Sequence, residues 1–460
     1  MIYNYFKQVF LLSLVAAFSF SCNEKKTTVS GDILIKNIAI LSPSSDSFSS
    51  PQYVLISGDS ILGISSDSSA FSSTVIIDGQ GKFLIPGLSE MHAHIPTPAQ
   101  GGMELVEETL FLYLSQGVTT IRGMLGDPFH LELKEKIKKD EILSPRIITS
   151  GPSFNGNSTK TPEEAEKMVR EQKELGYDFM KLHPGLSRET FDQIVKTGKE
   201  VGLGYSGHVS FDVGIRHGLN SGYGSIDHID GYVEGLVPED SAKTGVGGFF
   251  GFNFTEMADK SLINELADLT LQNQVWVVPT QCLLERWVGP KSPEELIGEP
   301  EMKYMNPETR DRWVKSKQNF QAGEGYSQER AQAFVELRQE LLNKLYKKGV
   351  GILLGSDAPQ VFNVPGFSAH HEMLSMKASG IPEKDILKSG TSAPSQFFNM
   401  ENEFGTIETG KSADLILLNS NPLEDIGNAQ DIQGVMVRGH WLSREEINSR
   451  LETIGEKYKN

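Results

Sequence analysis

The stretch KFLIPGLSEMHAHI, Lys82–Ile95, carries an apolar run into a Pro-Gly corner and then places two histidines with one alanine between them. On an extended strand alternate side chains share a face, so His92 and His94 project to the same side. Two neutral imidazoles on one face are suitable donors for a metal ion. The same pair also occurs at ordinary strand ends. Its meaning therefore depends on where the other donors of this ten-histidine chain fall.

Downstream of this stretch, residues 87–403 alternate short apolar runs with helical patterns. The runs GVTTIRGM, PRIITSG, YDFMKLH, GYSGHV, YGSIDHI, VWVVPT and GVGILLGSD, with the opening strand, make eight predicted strands. In the helix after PRIITSG, Thr161 is a cap, Pro162 suits the first helical position, Glu164 completes a capping box and Gly176 stops the helix. Strands and helices in this alternation predict an α/β fold, a (β/α)8 TIM barrel with its active site at the C-terminal ends of the strands. Residues 281–345 are too long for a simple connection. Their charged helical patterns predict an insertion that forms a lid over one edge of the site.

If His92 and His94 end the first strand, further donors should end others. Lys181 falls late in the fourth strand, His208 ends the fifth, His228 the sixth and Asp357 the eighth. Each step from Lys181 to His208 and on to His228 spans about one strand-helix unit. Six groups on five strand ends form a constellation that chance placement rarely produces.

These motifs, with IPGLSEMHAH, GSDAP and the late FGTIETGKSADLILLNSNPLEDI, resemble the amidohydrolase superfamily of metal-dependent hydrolases. The likeness is particularly to its binuclear, prolidase-like and imidazolonepropionase-related members. The resemblance covers nearly all of the chain after the N-terminal segment. It departs at SIDHID, where Asp227 stands in place of the more usual Glu.

The resemblance implies two divalent metal ions, zinc being the expected identity. His92, His94 and Asp357 would hold a buried first ion, and His208 and His228 a more exposed second one. Lys181 would bridge them only after carboxylation by CO2, because an ammonium cannot ligate a cation. Two cations sharing a water lower its pKa towards about 7. Asp357 would then take the water's proton and deliver it to the leaving amine. The implied activity is hydrolysis of an amide or cyclic amide C–N bond in a small substrate, such as an N-acyl amino acid or an Xaa-Pro-type dipeptide. Two alternatives stand beside it: a lactone or ester hydrolase using the same centre, and a non-catalytic barrel lipoprotein acting as a binding module.

The remaining histidines and polar groups divide less sharply. His183 shares the face of Lys181 if its strand continues, and either touches the site or sits in a plain loop. His370 and His371 follow the eighth strand and either reach the site or pack nearby. His130, His217 and His440 read as surface residues. Arg122, ending the second strand, binds either a substrate carboxylate or a structural one. Tyr232 is a candidate for polarising a carbonyl. Cys282 reads as a strand or loop residue.

Both ends of the chain carry short alternating strands. Residues 32–86 and 404–443 are expected to form one small β-sandwich domain, with a helical tail at 444–460. Before them, residues 1–21 place Lys7 ahead of an apolar run from Val9 to Phe20 that is too short to span a bilayer comfortably. This segment resembles a bacterial lipoprotein signal peptide with Cys22 as the lipidated residue, although Ser19 stands where Leu is usual. Residues 22–31 would be a polar tether. The implied location is the cell envelope, lipid-anchored at Cys22 or periplasmic. Cys282 is the other cysteine, so lipidation of Cys22 leaves no intrachain disulfide. A net charge of −17 without a dense basic block argues against nucleic acid as a partner. A small-molecule substrate is expected, and an oligomer is compatible with the sequence.

Overall fold

The computed structural model describes residues 28–459 apart from 45, 239 and 241–246. The expected signal peptide and Cys22 lie outside the described residues. The chain folds as an α/β protein with mixed sheets.

Strands β1 (Ile33–Ile40), β2 (Gln52–Ser57), β3 (Ser60–Ser65), β4 (Val75–Asp78) and β5 (Phe83–Pro86) precede seven parallel strands. These are β6 (Leu88–Ala93), β7 (Val118–Gly123), β8 (Arg146–Thr149), β9 (Met180–Leu182), β10 (Tyr205–Gly207), β11 (Ser225–Asp227) and β12 (Trp276–Val278). Strands β13 (Leu415–Leu418), β14 (Ile432–Val437) and β15 (His440–Ser443) close the chain.

The two ends meet in one sheet of order β15-β14-β13-β5-β1-β2-β3, with β4 also paired to β1. Its seam is antiparallel, with Leu415 opposite Pro86 and Leu417 opposite Leu84. Both faces of β13 are buried, and its period of two divides them between two cores. Leu415 and Leu417 join Ile35, Val54, Ile56 and Leu84 in a small core within the terminal sheet. Ile416 and Leu418 turn instead to the main core, as does Ile85 of β5. The terminal sheet is thus welded to the main body through two strands that share their side chains between both.

The parallel strands form two sheets, β8-β7-β6 and β9-β10-β11-β12. Parallel bridges Ser150–Phe179 and Phe154–Leu182 connect β8 to β9 across the gap between them. At the other side, Val277 bridges to Ile352 and Ala93 to Ala358, so the segment 351–358 lies between β12 and β6. Successive strands are joined through helices Pro98–Ser115, Pro128–Lys138, Pro162–Leu175, Arg188–Val201, Ile215–Ser221 and Ile263–Gln272. All six residues of β6 and all six of β7 are buried, as expected for parallel strands covered on both faces.

Local capping follows the sequence closely. The Thr161 side chain accepts from the Glu164 amide, Glu164 reaches back to the Thr161 amide, and Gly176 ends the helix at φ +86°. Residues 281–348 hold helices Gln281–Trp287, Pro293–Ile297, Pro307–Gln321 and Gln328–Lys348.

Three expectations are corrected. Cys282 lies in the first turn of a helix, because the strand of VWVVPT stops at Val278. His130 is buried, since its Nε2 lies 3.0 Å from the Ile95 carbonyl at the helix start that follows β7. Tyr232 is buried with its hydroxyl 2.7 Å from Thr270 Oγ1, spent on packing a helix.

Candidate metal centre

Strand β6 ends at Ala93, and the amides and carbonyls around it knit to the segment carrying Asp357. The Asp357 amide donates to the His92 carbonyl (2.9 Å) and the His94 amide to the Ala358 carbonyl (2.8 Å). Glu90, fully buried below, accepts from the amides of His92 (3.1 Å) and Ser356 (2.7 Å) and from Ser356 Oγ (2.6 Å). One carboxylate therefore sets the register between the two segments. Burial pushes the Glu90 carboxyl up to about 8.

The six sequence-derived groups converge here. His94 Nε2 lies 2.6 Å from Asp357 Oδ1, and His92 Nε2 lies 3.6 Å from the same oxygen. Lys181 Nζ sits 3.4 Å from His92 Nε2. The His228 ring centroid is 4.4 Å from that of His92 and 4.5 Å from that of His208. His92, His228 and Asp357 form a possible metal site, their donor atoms lying within 4.8 Å of one another. The expected contrast in exposure does not hold. His94 is 19% and His208 10% exposed while His92 and His228 are each 1% exposed, so each expected set holds one buried and one partly exposed imidazole.

Three of the four histidines face a polar partner through Nδ1. His92 Nδ1 faces Asp227 Oδ2 at 2.9 Å, His208 Nδ1 faces Asp230 Oδ2 at 2.9 Å, and His228 Nδ1 faces Thr280 Oγ1 at 2.8 Å. For His208 and His228 these hydrogen bonds fix the tautomer and leave Nε2 free as a ligand. Asp227 is itself gripped by Arg122, whose Nη2 donates to both carboxylate oxygens (3.1 and 3.2 Å). Arg122 also donates to the Met91 carbonyl and Ser225 Oγ. Of its two readings, Arg122 thus takes the structural one. Its guanidinium is spent inside the protein.

The electrostatics favour neutral donors. Burial holds His92 and His228 well below the usual imidazole range, and lowers His208 to about 3. The same effect brings the Lys181 amine down to about 8, against the pull of Asp227 and Asp357. Asp230 is pushed up to about 7 by its burial. These donors fit a divalent cation: three unprotonated imidazoles, an acid and a buried amine meet at one place.

Backbone strain concentrates at the same place. His228 (φ +64°), Thr280 (φ +43°) and Asp357 (φ +65°) all occupy the left-handed region without being glycine. Each such residue costs about 1–3 kcal/mol and persists where surrounding contacts over-determine it.

Two cavities flank the centre. One of about 1240 Å³ opens at His208 and is walled by Phe249, Phe250, Val213 and Arg188. Another of about 730 Å³ opens at His94 and is walled in part by Asn306, Arg312 and Trp313 of the inserted helices. Phe250 stands beside the second pair of histidines, its ring 5.3 Å from His228 and 5.9 Å from His208.

His183 stacks on His208 at 4.9 Å, which places it against the site. His370 packs away from it, with Nε2 3.0 Å from the Gln116 carbonyl, and His371 pairs with Glu301. His217 pairs with Asp192, and His440 with Asp140 at the surface. Sequence reasoning passed over Glu90, Asp230, Thr280 and Phe250. Asp230, two positions after His228 in HIDG, carried the only local signal.

Comparison with known proteins agrees with this picture. The model of the amidohydrolase family matches residues 83–442. A 5-methylthioadenosine/S-adenosylhomocysteine deaminase from Caldanaerobacter subterraneus subsp. tengcongensis is 23% identical over 445 residues, covering 89% of this chain and 92% of the relative. A Xaa-Pro dipeptidase crystallised with methionine in its active site superposes with a TM-score of 0.63 at 20% identity, covering 89% of this chain and 99% of that one. Bottromycin amidohydrolase gives a TM-score of 0.69 at 19% identity, covering 92% and 90%.

Proposed function

The chain belongs to the amidohydrolase family, and on that premise we propose a two-metal hydrolase that cleaves an amide C–N bond in a small substrate. An N-acyl amino acid or Xaa-Pro-type dipeptide is the substrate class put forward. The observation that carries this reading is the convergence of His92, His94, Lys181, His208, His228 and Asp357 between two cavities. In this reading the two parallel sheets and the bridges at residues 150–154 and 352–358 make one closed (β/α)8 barrel, and the terminal sheet is a β-sandwich domain.

His92, His94 and Asp357 would hold one ion and His208 and His228 the other. Bound there, divalent ions activate water and polarise the scissile carbonyl. Burial keeps the Lys181 Nζ lone pair accessible near neutral pH, so Nζ can add to CO2. The N–C bond forms as one C=O π pair of CO2 moves to oxygen, the proton on Nζ leaves to solvent, and the resulting carbamate anion would serve as a metal ligand. Asp357 Oδ1 receives a proton from the attacking water and returns it to the leaving nitrogen. Phe249 and Phe250 supply an apolar wall to the cavity on the His208 side.

A second reading, hydrolytic deamination, draws on the deaminase relative, since it also breaks a C–N bond with water. Purified protein should contain close to two zinc ions per chain and lose hydrolysis on chelation. A screen of N-acyl amino acids, dipeptides, lactones and amino-substituted heterocycles, with ammonia release measured in parallel, separates the readings. Full activity in metal-free protein would end the metal-dependent proposal. Location in the cell envelope through a lipid on Cys22 is proposed alongside, on the apolar run that precedes it.

A further inference from the structure

Arg338 lies at the middle of helix Gln328–Lys348, within the inserted segment, and is completely buried. Its guanidinium donates in three directions: from Nη1 to the His228 carbonyl (2.7 Å), from Nη2 to the Pro279 carbonyl (3.1 Å) and from Nε to Gln281 Oε1 (3.1 Å). The first two acceptors flank the site's strained backbone. His228 itself stands at φ +64°, and Pro279 immediately precedes Thr280 at φ +43°. Those two residues meet through their side chains, His228 Nδ1 lying 2.8 Å from Thr280 Oγ1.

On the far side of Thr280, Glu372 accepts from the amides of Gln281 (3.0 Å) and Cys282 (2.7 Å). Glu372, Asp230, Glu285 and Glu234 all act electrostatically on Arg338, so the buried cation is surrounded by acids on several elements. A planar fork with donors fixed in three directions can hold two separate carbonyls at a set distance; a lysine ammonium on a flexible stem cannot.

We propose that Arg338 is a positioning residue for the second metal position, clamping the ends of β11 and β12 so that His228 keeps the backbone and tautomer a ligand needs. The inserted helices then contribute to the metal centre as well as walling a cavity. This rests on the two-metal reading, and it goes beyond it by tying one of the two positions to a helix that supplies no ligand.

The test is zinc titration by calorimetry of metal-free wild type, Arg338→Met and Arg338→Lys, with folding followed by circular dichroism. Wild type should show two binding events. Loss of partners that orient metal ligands typically weakens affinity about 10–100-fold. Arg338→Met should therefore weaken one of the two events by that factor and leave the other within about threefold, with Arg338→Lys intermediate. If Arg338→Met does not fold, Arg338→Lys decides alone, and selective weakening of one event is still required. Two unchanged events in a folded variant, or equal weakening of both, would overturn the clamp. A wild type that binds fewer than two ions would instead overturn the two-metal reading.

Discussion

Asp227→Asn tests the foundation under His92. The Asp227 carboxylate is fully buried and does three things at once: it neutralises Arg122, faces His92 Nδ1 at 2.9 Å and lies 3.8 Å from Lys181 Nζ. Breaking a buried ion pair by removing one partner costs about 3–5 kcal/mol. Two features of the structure place this case near the lower bound. An asparagine oxygen can still accept one Arg122 hydrogen bond. Glu90 is the next acid acting on Arg122, and a carboxyl raised to about 8 can ionise to replace the lost charge. At pH 7 that ionisation costs only about 1.4 kcal/mol, less than leaving Arg122 unpaired, so the loss should lie nearer about 3 than about 5 kcal/mol. Urea unfolding of the metal-free protein should show the loss, and zinc affinity at the His92 position should fall about 10–100-fold. Asp227→Asn combined with Glu90→Gln should cost more than the sum of the two, because the compensating acid is gone. A variant with an unchanged urea midpoint and unchanged zinc affinity would refute the reasoning.

Lys181→Ala should lose metal and activity together, and a short carboxylic acid added from solution should restore part of both; normal two-metal loading without it would remove the carbamate bridge. With the Lys181 amine at about 8, lowered from 10.5 by burial, the neutral form predominates above that pH and is lost as pH falls. The reactive fraction drops from about one half at pH 8 to about 1% at pH 6. Reconstitution of wild type with zinc at constant dissolved CO2 should therefore slow about fiftyfold over that interval, and a flat profile would exclude the amine as the reacting group. Asp357→Asn should lower kcat about 10²–10⁴-fold while retaining much of the metal, whereas near-normal turnover would leave Asp357 a ligand only. Cys22→Ser should release the protein from membranes without loss of hydrolysis; persistent membrane association would point to an uncleaved anchor.

The candidate donor residues could be picked out of the chain because their signal is local. HAH alternation and a lysine late in an apolar run each announce a strand end within a few positions, whereas the run before GSDAP, expected as an eighth strand, forms only isolated bridges at Ile352 and Ala358. The Thr161–Glu164 box and Gly176 were equally legible, since a helix cap is a contact between near neighbours. Even the union of the two chain ends was signalled by matching strand texture, and Leu415 opposite Pro86 realises it.

What holds the donors in place was settled only in three dimensions. Arg122 and Asp227 lie on different strands, Thr280 reaches His228 from another, and Glu90 meets Ser356 across most of the chain. Arg338 arrives from an inserted helix that reads as an ordinary amphipathic segment. A buried charge or a left-handed backbone has no short-range mark in sequence, because its cost is offset by partners that only folding brings near. The same holds for exposure. The cavity at His94 is walled in part by Asn306, Arg312 and Trp313, which lie far along the chain.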